Sequence, residues 1–108
     1  MNLMELIDSM EKRPKMYVMP VKIEYIFYFI FGYLWRKDLD DIERTFRSHF
    51  HYWIVDWIVK NIDNKYEMES FLWYHAFISV TKGDQEAVDL FFKASREFFD
   101  DYKNNRLP

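Results

Sequence analysis

Thirteen consecutive residues, IEYIFYFIFGYLW (23–35), carry one charge, Glu24. Strands rarely exceed about 10 residues, and a bilayer span needs about 20 mostly apolar ones. A run of this length is therefore a helix buried in protein. Ile23, Ile26, Phe27, Ile30 and Leu34 form one stripe, with Tyr25, Tyr28, Phe29 and Tyr33 on the other sides. Apolar character nearly all round predicts neighbours on several faces. The helix is expected from Val21 to Trp35 or Lys37.

The rest of the chain reads as four more helices. Leu3, Leu6, Ile7 and Met10 recur at i, i+3, i+4 and i+7 and predict a helix over 2–12. Pro14 disfavours helical geometry at Arg13 and ends it. A connector, 13–20, closes at Pro20. A third helix starts within DLDD (38–41), with Asp40 and Glu43 as a capping box, and runs to Asp63. Its inward side is Leu39, Ile42, Phe46, Phe50 or His49, Trp53 and Trp57. The turn-prone NIDNK (61–65) breaks that pattern.

A fourth helix is expected over 67–81, with Phe71, Tyr74, and Phe77 or Ile78 inward. Gly83 suits the left-handed position past its end, and Asp84 the cap of a last helix over 84–103. That helix buries Ala87, Phe91, Ala94, Phe98 and Tyr102. The tail 103–108 is polar and expected to fray. Only two glycines occur in the chain, too few for a turn-rich β fold. The expected architecture is all-α, a single bundle of about five helices over 1–108.

Composition narrows the function. Fifteen cations against 18 acids give a net charge of −3, and neither half of the chain is basic. A nucleic-acid binder carries a basic stripe; this chain has the short knot Lys12, Arg13, Lys15 and Lys22, which also suits a helix C-terminus. The N-terminus places Glu5, Asp8 and Glu11 ahead of any cation, unlike a secretory signal. Without cysteine there are no disulfides or thiolate sites, which fits a reducing cytosol. The expectation is a cytoplasmic protein with no membrane and no direct nucleic-acid contact.

No catalytic constellation emerges. His49 and His51 point to nearly opposite sides of a helix, so they cannot share an ion, and His75 lies on another element. The serines lack a Gly-flanked sharp turn, and two glycines build no phosphate loop. No catalytic residue, metal or cofactor is expected. Two surface features remain. Asp38, Asp40, Asp41 and Glu43 form an acidic group that serves either as a solvated helix start or as a lure for a basic protein partner. The 23 aromatic residues exceed what one small interior hides, so some reach the surface, where Trp and Tyr anchor protein interfaces. A homodimer could use that surface too.

Four ordered pieces, MELIDSMEKRPKMYV, IFGYLW, HFHYWIVDWI and GDQEAVDLFFKASREFF, resemble a family of small bacterial proteins, some of them immunity proteins of contact-dependent growth-inhibition systems. Arg13, Pro14, Met16 and Tyr17 match its turn, with Lys15 where Gly is usual. Gly32 and Tyr33 match a mid-chain pair, Phe50 and Trp53 a third segment, and Gly83, Asp84, Glu86, Ala87, Phe91 and Phe92 the closing helix. The resemblance implies a catalytically inert helical module that neutralises a cognate toxin domain. It would do so by covering the toxin's active site or an essential surface. The alternative is a self-associating structural or regulatory module. Within this picture the turn 13–17 is a packing corner, with Met16 and Tyr17 folded inward and the cations in water.

Overall fold

Asn2 opens the first helix with a capping box. Its side-chain oxygen accepts from the Glu5 N–H at 3.0 Å, while the Glu5 carboxylate accepts from the Asn2 N–H at 3.2 Å. Two otherwise orphaned donors are thereby satisfied. The computed structural model describes residues 1–108. Helix α1 (Leu3–Lys12) buries Leu3, Leu6, Ile7 and Met10, the face its spacing predicts.

Pro14 then starts a single 3-10 turn, Pro14–Met16. Met16, the last residue inside that turn, faces solvent, and the inward pair is shifted one residue along. Tyr17 folds inward, its ring edge-on to Phe29 at 5.7 Å; Val18 is the second pin, and Met16 is 70% exposed. Arg13 and Lys15 stay in solvent.

Helix α2 (Ile23–Tyr33) ends short of Trp35, its last turn tightened by the Trp35 N–H donating to the Gly32 carbonyl at 3.2 Å. Ile23, Ile26, Phe27, Ile30 and Leu34 are buried as the stripe requires. Burial on several faces is not observed. Tyr25, Tyr28, Phe31 and Trp35 stand in solvent, because the elements packed on α2 occupy one side of it.

Asp40 and Glu43 form the expected capping box on α3 (Asp41–Asn61), with bonds of 2.9 and 3.2 Å. Phe46, Phe50, Ile54, Trp57 and Ile58 face inward, and His49 faces out.

The fourth helix departs most from expectation: α4 spans only Tyr74–Ser79. Two stripes compete there, 71–74–77/78 and 73–76–77. The second wins because it buries Trp73, Ala76 and Phe77, leaving Phe71 67% and Ile78 49% exposed. The Trp73 ring reaches Phe27 at 4.9 Å, Phe50 at 5.3 Å and Phe91 at 4.9 Å. The chain before it is irregular, with the Leu72 N–H held by the Ser70 hydroxyl at 3.0 Å.

Helix α5 (Asp84–Lys103) has the predicted limits. Gly83 is not left-handed: at φ −170° it is an extended N-cap, and Asp84 is the first helical residue. The left-handed residue is Asn105, φ 54°, just past the end of α5. Ala87, Val88, Phe91, Phe92, Ala94, Ser95, Phe98 and Phe99 bury a broad face, while Tyr102 is half-buried. α5 packs on α1, α2, α3 and α4, so this helix is the hub of the bundle, not α2. The buried apolar residues form one continuous cluster drawn from every helix. No helix is long and apolar enough to cross a membrane.

Candidate protein-interaction surface

Four aromatic residues three or four apart, Tyr25, Tyr28, Phe31 and Trp35, make the outward face of α2 and the residues just past its end. Their spacing puts them on one side of the helix. Phe31 stacks on Trp35, with centroids 5.6 Å apart and planes 26° from parallel, and also on the buried Phe27 at 6.0 Å. The stripe borders a cleft of about 370 Å³ between α2, α3 and the segment 71–73. Phe71 contributes another exposed ring, edge-on to His51 at 5.4 Å and to Tyr52 at 6.1 Å.

The cleft lining contains Arg47 and no carboxylate. Arg47 donates from Nη1 to the Leu34 carbonyl at 3.3 Å and takes part in none of the ion pairs. A cation set among rings, without an acidic partner, suits a ligand that is mostly apolar and brings one negative charge.

The acidic group lies elsewhere. Asp38, Asp40 and Asp41 are exposed, but Glu43 is 2% exposed. Its carboxylate accepts from Arg36 Nη2 at 2.7 Å, and the same guanidinium sits 4.2 Å over the Tyr33 ring. Glu43 therefore holds the loop between α2 and α3 to the bundle and leaves the solvent-facing set. Asp41 accepts from the Tyr102 hydroxyl, a bond that, with burial and Asp41's own charge, holds the Tyr102 phenol protonated beyond its usual range. Asp41, Thr45, His49 and Tyr102 line one shallow hollow, whereas Arg47 and His51 line the aromatic cleft. Residues 47 and 49 are about 200° apart around a helix. Rings and carboxylates thus occupy different flanks of α3, and the acids do not frame the aromatic cleft.

Compared with protein-family models, curated proteins and solved structures, the chain has no match.

The remaining residues singled out by sequence are joints. Arg13 is the C-cap of α1, its N–H donating to the Ser9 carbonyl at 3.0 Å. Pro14 begins the 3-10 turn, and Tyr17 packs on α2. Tyr33 donates its hydroxyl to the Met1 carbonyl, clipping the start of α1 to the end of α2; burial first, then the nearby Glu43 charge, push its phenol up. Asp84 sits 3.9 Å from Lys22. Gly32 joins nothing: it is exposed, and a Cβ there would meet no atom within 4 Å.

The histidines do not converge. His49 bonds Ser48 at 2.7 Å, His51 lies in the cleft wall, and His75 stands beside Tyr74 at 4.4 Å. No three His, Cys, Asp or Glu side chains approach one another closely enough to hold a metal ion. His51 has its pKa lowered from 6.5, by burial first and by His49 second.

Sequence reasoning missed Trp73 and Arg47, and it placed Phe71 inward where the structure exposes it. The signal for the outward stripe was present in the 28–31–35 spacing. The cleft was not legible, because its far wall comes from a segment expected to be helical.

Proposed function

We propose that this chain works by binding another protein, as an immunity protein that captures a cognate toxin domain and covers its active site or a surface the toxin needs. The family resemblance supplies the toxin. One structural observation supports a binding role: the surface has two chemically different, separated faces, one of rings and one where Asp38, Asp40 and Asp41 are exposed, with Arg44 3.8 Å from Asp41. Asp38, Asp40 and Asp41 are assigned to the toxin. Carboxylates at the end of a bundle steer a cationic, nuclease-like domain into contact and mask its charge. Such pairs reach dissociation constants near 10⁻¹⁴ M in the tightest DNase–inhibitor complexes known.

The test mixes the purified chain with the C-terminal domains encoded by the genes that flank its own. Complex formation and protection of the toxin's target are expected. Changing Asp38, Asp40 and Asp41 together to Asn should slow association and make it less salt-dependent. No complex and no protection would remove the reading. A second reading, a self-associating module without a toxin, draws on the aromatic face of α2.

A further inference from the structure

We infer that the aromatic face of α2 is the interface of a two-fold homodimer, α2 crossing its counterpart in a second copy in antiparallel sense. This goes beyond the toxin reading and does not depend on it, because Asp38, Asp40 and Asp41 are absent from the aromatic cleft.

The area fits. Tyr25, Tyr28, Phe31, Trp35, Tyr52 and Phe71 are each between 45% and 74% exposed. At about 200 Å² per aromatic side chain they leave on the order of 700 Å² of ring surface. A monomer's largest apolar patch is about 300–600 Å², and a standard interface buries about 800 Å² per partner.

Charge fits a second copy better than a foreign ligand. The cleft needs a mostly apolar guest with one negative charge. The outward stripe of α2 has that composition: Glu24, Tyr28, Phe31 and Trp35 recur at i, i+4, i+7 and i+11. Glu24, like Arg47, takes part in no ion pair. In an antiparallel pair with its axis near Ile30, Glu24 at the start of one α2 lies level with the end of the other. Arg47 waits at that end, on the Leu34 carbonyl. A two-fold axis makes this contact twice, since the same patch supplies both halves.

Gly32 is the independent observation. It stands in the last turn of α2, and no neighbour in this chain requires it to be glycine, since a Cβ would meet open space. It lies on the outward side of α2, among the rings. The same axis brings Tyr28 of the second copy over it, so the missing side chain becomes the hole that a ring fills and lets the helices approach.

Sedimentation equilibrium of the purified chain tests the inference, with circular dichroism as a folding control. The expected species has twice the 13.5 kDa chain mass. Gly32→Leu should weaken the dimer ten-fold or more with helicity unchanged. Glu24→Lys and Arg47→Glu should each weaken it similarly, and the double variant should recover most of the loss. A monomer across the micromolar range overturns the inference. So does a dimer indifferent to Gly32→Leu, or charge variants whose effects add without recovery. In either case toxin capture stands or falls on its own assay.

Discussion

Arg36 and Glu43 form the most buried ion pair in the protein, 2.7 Å between Nη2 and Oε2, with the carboxylate side chain 3% exposed and the guanidinium 37%. The other oxygen of that carboxylate closes the capping box of α3 by accepting from Asp40 N–H. One side chain thus fixes both where α3 begins and how the loop from α2 reaches it.

Replacing Glu43 with Ala removes the pair and half of the capping box. The stability loss should be about 2 kcal/mol, below the 3–5 of a fully buried pair because Arg36 can turn to water. Glu43→Gln, which can still close the box, should cost about half as much. Urea unfolding of the three proteins measures both. Equal losses would mean that the cap contributes nothing.

Trp73 and Phe71 sit two residues apart with opposite roles. Trp73→Ala empties a site ringed by Phe27, Phe50 and Phe91 and should cost about 3–5 kcal/mol. Phe71→Ala should stay within about 0.5 kcal/mol in the monomer. If residues 67–73 were helical with Phe71 inward, the order would reverse. Thermal unfolding separates the cases.

Gly83 is an extended N-cap without a side-chain hydrogen bond to α5. Serine there can accept from the helix and restricts the unfolded chain, so Gly83→Ser should stabilise by about 0.5–1 kcal/mol. A left-handed Gly83 would make the same change destabilising. The shift in unfolding midpoint decides by its sign.

His51 gives the stability a pH dependence. Its pKa is lowered in the folded protein, so the unfolded chain binds more protons as pH falls below about 6.5 and stability declines with it. The loss is absent above 6.5 and complete once pH passes below the folded value. His51→Gln should flatten the part of the profile below about pH 6.5 that this ring causes. An unchanged profile would assign the dependence to another group.

Helices with one plausible inward stripe were legible in sequence. In α1 and α5 the apolar spacing left no rival, and Pro14 and Asp40 marked boundaries by their own chemistry. Two kinds of feature were hidden. Segment 67–73 offered two stripes, and only the tertiary gap that Trp73 fills chooses between them. The surroundings of α2 were also concealed, because apolar residues all round a helix say that partners are needed, not that they belong to the same chain. Likewise Asp38, Asp40, Asp41 and Glu43 formed one acidic group in sequence, and only Arg36, seven residues upstream of Glu43, draws Glu43 inward.

The hub helix α5 is synthesised after the four helices that pack on it. Until it leaves the ribosome, α1 to α4 lack the surface against which many of their rings settle, so assembly of this bundle is a late, collective event.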